Sequence, residues 1–172
     1  MWTAIALYTF TGSLYGGGGT RSGVTINGGK VYGTSLITAS NAGTVFRLTP
    51  PAKLGGAWKH DVLYTFLGGS GDGANPWSNL VFDSMSNLYG PTQLGGIGNC
   101  VAEACGTIYR LTPAASLPWT ETILYTFEGG SDGANPVGNI TFGLGGLFYG
   151  ATFQGGTGSC TLGCGAVFST TH

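Results

Sequence analysis

The sequence predicts an all-β protein built from three copies of one unit, and three observations carry that prediction. The tetrapeptide L-Y-T-F begins at Leu7, Leu63 and Leu124, each time five residues after a tryptophan: Trp2, Trp58 and Trp119. Tyr-Gly pairs beginning at Tyr32, Tyr89 and Tyr149, and G-[TA]-[VI]-[FY] beginning at Gly43, Gly106 and Gly165, recur in the same order. The period is about 57–61 residues, which marks a tandem repeat. The third observation is negative: Gly or Pro interrupts nearly every window that would carry a 3.6-residue period, so no helix is expected.

Four strands are expected per unit. The first is short and apolar (Val24–Ile26, Leu80–Phe82, Ile140–Phe142). A Gly- or Asn-containing turn leads to the second, which carries Tyr-Gly (Val31–Thr34, Leu88–Thr92, Leu147–Thr152). A Gly-rich loop precedes the third, G-T-V-F-R-L-T at Gly43–Thr49 and G-T-I-Y-R-L-T at Gly106–Thr112, stopped by Pro50 or Pro113. The fourth runs from the tryptophan to the phenylalanine of L-Y-T-F. Its period of two puts Trp119, Glu121, Ile123, Tyr125 and Phe127 on one face, and Trp58, His60, Val62, Tyr64 and Phe66 on the equivalent face one unit earlier. The sequence D-G-A-N-P then turns the chain into the next unit, with Asp capping, Gly supplying positive φ and Pro ending the turn.

The phase of the repeat points to closure. The residues form one repeat domain, 1–172, with units at about 11–66, 67–127 and 128–172. Residues 1–10 read as a fourth strand that supplies the last strand of the third unit. Uniting first and last strands in one sheet is how β-propellers close their ring. Three blades are too few for a propeller, so two copies closing one six-bladed ring, or a piece of a longer chain, is expected. A β-trefoil and a β-prism also build twelve strands from three repeats and are the alternatives.

Composition narrows the class. Charged residues make up 8% of the chain, against roughly 25% in an ordinary globular protein. Glycine fills 34 of 172 positions, about 20% against an ordinary ~7%. A net charge of −1, with Arg21, Lys30, Arg47, Lys53, Lys59 and Arg110 scattered, gives no footprint for nucleic acid or an anionic membrane. No apolar run approaches the ~20 residues of a membrane helix. The N-terminal M-W-T-A-I-A-L-Y-T-F lacks a basic region and a cleavage site and already matches the repeat, so it is not a signal peptide.

The cysteines fall in equivalent loops of successive units, Cys100 with Cys105 and Cys160 with Cys164. Two local disulfides are the favoured reading, and they imply an oxidising compartment. A four-thiolate zinc site and free thiols are the rivals; against zinc, equivalent loops of neighbouring repeats sit apart and the first unit has no cysteine there.

The combination G-T-[VI]-[FY]-R-L-T-P, W-T-E-T-I-L-Y-T-F, G-G-S-D-G-A-N-P and N-L-Y-G-x-T resembles the GloVer-type repeat family over nearly the whole chain. These are Gly-rich bacterial proteins, secreted or at the cell surface, often with a C-terminal anchor. The resemblance implies a propeller-like fold and an exported protein, and implies no activity. Three departures stand out: Gly16–Thr20 in place of D-G-A-N-P, Pro91 in place of the Thr that follows Tyr-Gly, and an ending F-S-T-T-H without an anchor. The Asn139-Ile140-Thr141 sequon reads as incidental in a strand of a bacterial protein.

Candidate chemistry is sparse. Asp72 and Asn75, with Asp132 and Asn135 one unit later, could bind a ligand or calcium, but one carboxylate per turn is thin for calcium and a capping role is favoured, so no cofactor or metal is expected. Trp77, whose counterparts are Arg21 and Val137, is a candidate sugar-stacking platform, whereas Trp2, Trp58 and Trp119 recur in place and read as core. Gly129–Gly133 matches G-x-S-x-G by letters only, since a strand rather than a helix follows. His60 reads as a packed residue, and no carboxylate pair has the spacing of a glycosidase dyad. Two functions are expected in competition. One is a non-catalytic extracellular or cell-surface binding module for a glycan or other polymer, self-associating into a closed ring. The other is a hydrolase or lyase acting on extracellular polysaccharide. A purely structural role is the third.

Overall fold

The structure, a computed structural model, describes residues 2–11, 19–36, 42–98, 100 and 105–171. The fold is all-β, and its main sheets follow the three sequence units. The first unit forms β1 (Thr25–Asn27), β2 (Lys30–Ser35), β3 (Thr44–Thr49) and β4 (Lys59–Thr65), paired in that order. In the second unit β5 (Gly73–Ala74) precedes a four-stranded sheet of β6 (Val81–Phe82), β7 (Leu88–Thr92), β9 (Thr107–Thr112) and β10 (Thr120–Thr126). Between β7 and β9 lies β8 (Leu94–Gly95), which pairs with β5 in a two-stranded ribbon. The third unit contributes β11 (Ala134–Phe142), β12 (Leu147–Gln154) and β13 (Val167–Thr171), separated at Leu144–Gly146 by one 3₁₀ turn. Neighbours in every sheet are antiparallel, as short connections between consecutive strands require.

The Tyr-Gly and G-T-[VI]-[FY] segments are the two inner strands of each complete sheet. Gly33 has to be glycine because a Cβ there would lie 2.7 Å from the Phe46 ring, and Gly90 because its Cβ would lie 2.7 Å from the Tyr109 hydroxyl. The aromatic residue of the third strand crosses over the glycine of the second. First strands are shorter or displaced relative to the expectation, and in the third unit the first strand merges with A-N-P into nine-residue β11.

Strict alternation along the fourth strand fails at one point. Phe46 pairs with Val62 and Val45 with Tyr64; Tyr109 pairs with Ile123 and Ile108 with Tyr125. A β-bulge therefore sits at Leu63 and at Leu124, and adjacent residues of the third strand are matched by residues two apart on the fourth. Ile123 and Tyr125 consequently face opposite sides, not the shared face that a period of two predicts.

The sheets stack face to face in chain order. Tyr32, Val45, Leu63, Phe66, Leu80, Leu88, Tyr109, Leu111 and Trp119 form one buried cluster between the first and second sheets. Tyr89, Cys105, Ile108, Phe127, Ala134, Ile140 and Phe148 form the other, between the second and third. Alternation along β7 and β9 sends Leu88 and Tyr109 one way and Tyr89 and Ile108 the other, so the middle sheet is buried on both faces.

Residues 2–11 belong to no sheet of this chain, and the third sheet has three strands among the described residues. Among the described residues no segment takes the fourth-strand place in the third sheet. Tyr8 instead stacks on His60 at 4.4 Å and Phe10 packs against Phe46 at 5.2 Å. Trp119 is core at 7% exposure, Trp58 is half-buried, and Trp2, expected in the core, is fully exposed at 103% because no sheet lies over it.

Candidate functional site

Each D-G-A-N-P turn is locked to the strand before it. Asp72 Oδ2 accepts hydrogen bonds from the Leu67 N–H (2.7 Å) and the Tyr64 hydroxyl (3.3 Å), and Oδ1 accepts from the Gly73 N–H (2.6 Å). Asp132 Oδ2 accepts from the Glu128 N–H (2.8 Å) and the Tyr125 hydroxyl (2.9 Å). The tyrosine of L-Y-T-F is therefore the anchor of the turn that follows it. Asn75 and Asn135 sit at φ 58° and 52°, a left-handed conformation that Asn tolerates better than most residues. Their side chains both reach Gln93: Asn75 Nδ2 donates to its Oε1 and Asn135 Nδ2 to its backbone carbonyl (3.0 Å). Asp72, Asn75, Asp132 and Asn135 are each engaged in holding turns and neighbouring sheets together.

Stacking of the sheets brings together residues that are remote in sequence. Glu121 of β10 couples electrostatically with Asp72 and with the hydroxyls of Tyr64 and Tyr109. Burial, then the Asp72 charge, pushes the Glu121 carboxyl up to about 7. Burial raises Asp72 as well, against the hydrogen bonds from Leu67, Gly73 and Tyr64 that favour its charged form. Burial also raises the Tyr64 and Tyr109 hydroxyls. Glu121 Oε1 and the Tyr109 hydroxyl are buried without a hydrogen-bond partner. This carboxyl pair was not legible in the sequence: Glu121 reads there as one more residue on an aromatic face. Its only signal is positional, since Glu121 occupies the place of His60, and each of the two lies against the L-Y-T-F tyrosine of the preceding unit.

Between the same two sheets, an open cleft of about 270 Å³ lies beside the β1–β2 turn and the β9–β10 connection. The half-buried Phe82 supplies aromatic surface over a floor of the buried Tyr32 and Trp119, and Lys30, Arg47, Asn27 and Ser86 supply polar groups. Tyr32 meets Phe82 edge to face at 4.8 Å, which fixes both rings. Arg47 is held by Asp61 at 2.7 Å, and Lys59 reaches the same carboxylate at 2.8 Å. Burial works against the Asp61 charge, but hydrogen bonds from Lys59 and Arg47 outweigh it and hold the carboxyl below its ordinary range.

Trp77 lies outside this cleft. The Arg21 guanidinium sits over its ring, 5.1 Å from the centroid, so equivalent positions of successive units meet and one face of the half-buried indole is covered. His60 is half-buried against Tyr8, and burial lowers its pKa against the opposing pull of Asp61. Cys100 is bonded to Cys105 and Cys160 to Cys164, with Cα separations of 5.3 and 5.2 Å, so each disulfide closes its own loop. Two disulfides fit an oxidising environment, and no helix among the described residues is long and apolar enough to cross a membrane. Among the described residues no three His, Cys, Asp or Glu side chains gather at one point.

A family model described as the Gloeobacter/Verrucomicrobia repeat matches residues 3–172. The chain belongs to that family. The match of this bacterial repeat family spans all three sheets and the segment that packs on β3 and β4. No curated protein and no solved structure matches the chain.

Proposed function

We infer that this Gloeobacter/Verrucomicrobia repeat chain is a non-catalytic, extracellular or cell-surface binding module that takes a polysaccharide, with its sheets acting as blades of a propeller-like ring. The observation that carries the reading is the cleft between the first two sheets, where the half-buried Phe82 ring, fixed by Tyr32, adjoins cationic and amide groups. Sugar rings offer apolar C–H faces to aromatic side chains and hydroxyls to polar ones, and such mixed concave surfaces suit them. Lys30 favours a glycan carrying carboxylate groups. The ring reading is supported by the antiparallel four-stranded sheets stacked in chain order. Export is supported by the two disulfides.

Calorimetric titration with neutral and uronic-acid oligosaccharides tests this. The acidic ligand binds, and Lys30→Ala and Asn27→Ala each weaken binding about tenfold, the effect of losing about 1.4 kcal/mol. Binding untouched by both substitutions, or none across the panel, would sink the reading. Release of new reducing ends would favour a hydrolase or lyase, with Glu121 as the first residue to replace.

A further inference from the structure

We propose that the free edge of β13 and the face beside it form a docking site for residues Trp2–Phe10 of a second copy of this chain, added as the fourth strand of the third sheet. The proposal rests on the ring reading above and specifies which residues would make the joint.

Equivalent positions carry the argument. Phe66 packs on Tyr109 at 5.0 Å and Phe127 on Phe168 at 5.0 Å: the end of each fourth strand caps the third strand of the next sheet. Phe10 makes the same contact with Phe46 at 5.2 Å. Within the fourth strand, Tyr64 lies edge-on to Phe66 at 5.1 Å, Tyr125 to Phe127 at 5.1 Å, and Tyr8 to Phe10 at 5.2 Å. Residues 2–10 thus take the place of a fourth strand preceding the first sheet, with no third strand beside them among the described residues.

The other half of the joint is at β13. Val45, Ile108 and Val167 are equivalent; the first two are fully buried, whereas Val167 is 85% exposed. Leu80, Ile140 and Val24 are equivalent as well, and exposure there is 2%, 1% and 54%. The outer face of the third sheet and the outer face of the first are therefore the two halves of an interface that occurs twice inside the chain. A groove of about 200 Å³ runs between Tyr125, Phe127 and Asp132 on one side and Val167, Phe168 and Ser169 on the other. Between the first and second sheets the corresponding space, beside Tyr64 and Asp72, takes Glu121. Ala4 is the residue of the incoming segment that aligns with Glu121.

Trp2–Phe10 shares Trp, Thr, Leu, Tyr, Thr and Phe with Trp119–Phe127, in order. Register carried over from β9 and β10 sets Ile5 opposite Ser169, Ala6 opposite Phe168 and Tyr8 opposite Val167, with the bulge at Leu7. The Phe10 N–H then donates to the Gly165 carbonyl, as those of Phe66 and Phe127 donate to Gly43 and Gly106 at 2.9 and 3.0 Å. Main-chain pairing supplies affinity and the alternate side chains supply register, as in other cases of strand addition. Reciprocal exchange between two copies closes six sheets; unreciprocated exchange grows an open series.

Directed crosslinking tests the joint. Chains carrying Ile5→Cys and differently tagged chains carrying Ser169→Cys are mixed and oxidised; both positions are exposed, so the fold should tolerate them. A covalent product joining the two tags is expected, at least tenfold more abundant than from Thr3→Cys mixed with Ser169→Cys. No such product with chains shown to be folded by circular dichroism would overturn the proposal. So would a bond formed only inside a single chain bearing both substitutions. The mass of the native assembly separates the two claims. About 35 kDa, twice the 17.5 kDa chain, fits the closed ring; an open series with the crosslink intact keeps the joint and breaks the ring.

Discussion

The second and third sheets are built from the same sequence pattern and meet different surroundings. Ile108 and Val167 occupy one position of the third strand, yet one is fully buried and the other 85% exposed. The difference is in cover: β9 has β10 on its outer edge and a sheet on each face, while among the described residues no fourth strand or further sheet lies against β13. In a repeat fold each unit exposes a face that only its neighbour can bury, so the burial of a residue belongs to the pair of units.

The largest expected effect follows from that contrast. Ile108→Ala opens a cavity between two sheets and should cost about 2–5 kcal/mol in urea denaturation, whereas Val167→Ala in dilute protein should stay within about 0.5 kcal/mol. Equal losses at the two positions would mean that β13 is covered in the dilute chain.

Next in size are the paired turns. Asp72→Ala strands the Leu67 and Gly73 N–H groups together with the Tyr64 hydroxyl, and a loss of about 1–3 kcal/mol is expected. Asp132→Ala removes an acceptor for Glu128 and Tyr125 on a less buried turn and should cost less. The reverse order in thermal melts would show that the third sheet depends more on its turn than the second does.

A further effect concerns pH. A carboxyl raised from 4.5 to about 7 on folding binds more protons in the folded state between those values. Its contribution to stability is therefore fully present below about 4.5 and is lost as pH rises through about 7. Glu121→Gln should flatten that fall, so the stability difference between wild type and variant changes between pH 4.5 and 7 and levels off above. A difference constant over that range would place Glu121 in water.

Much of the fold was legible because its determinants are local. The Tyr-Gly and G-T-[VI]-[FY] landmarks mark strands that cross at Gly33 under Phe46 and at Gly90 under Tyr109, and the two cysteine pairs bond as their spacing favours. The bulges at Leu63 and Leu124 were not legible, because apolar residues on both sides of a doubly covered strand hide a change of face. Nor was the Glu121 and Asp72 pair, which depends on how one unit stacks on another. Trp2 and Trp119 make the same point from the other side. Their local sequences agree, yet one is exposed and the other is core, and only the neighbouring sheet decides which.

The comparison itself is tested most directly by backbone hydrogen exchange at two protein concentrations, following peptides that cover β9 and β13. The account predicts that β9 is protected at both concentrations, while β13 exchanges quickly in dilute protein and gains protection as the solution is concentrated. Fast exchange of β13 at every concentration would contradict the claim that a second copy completes the third sheet.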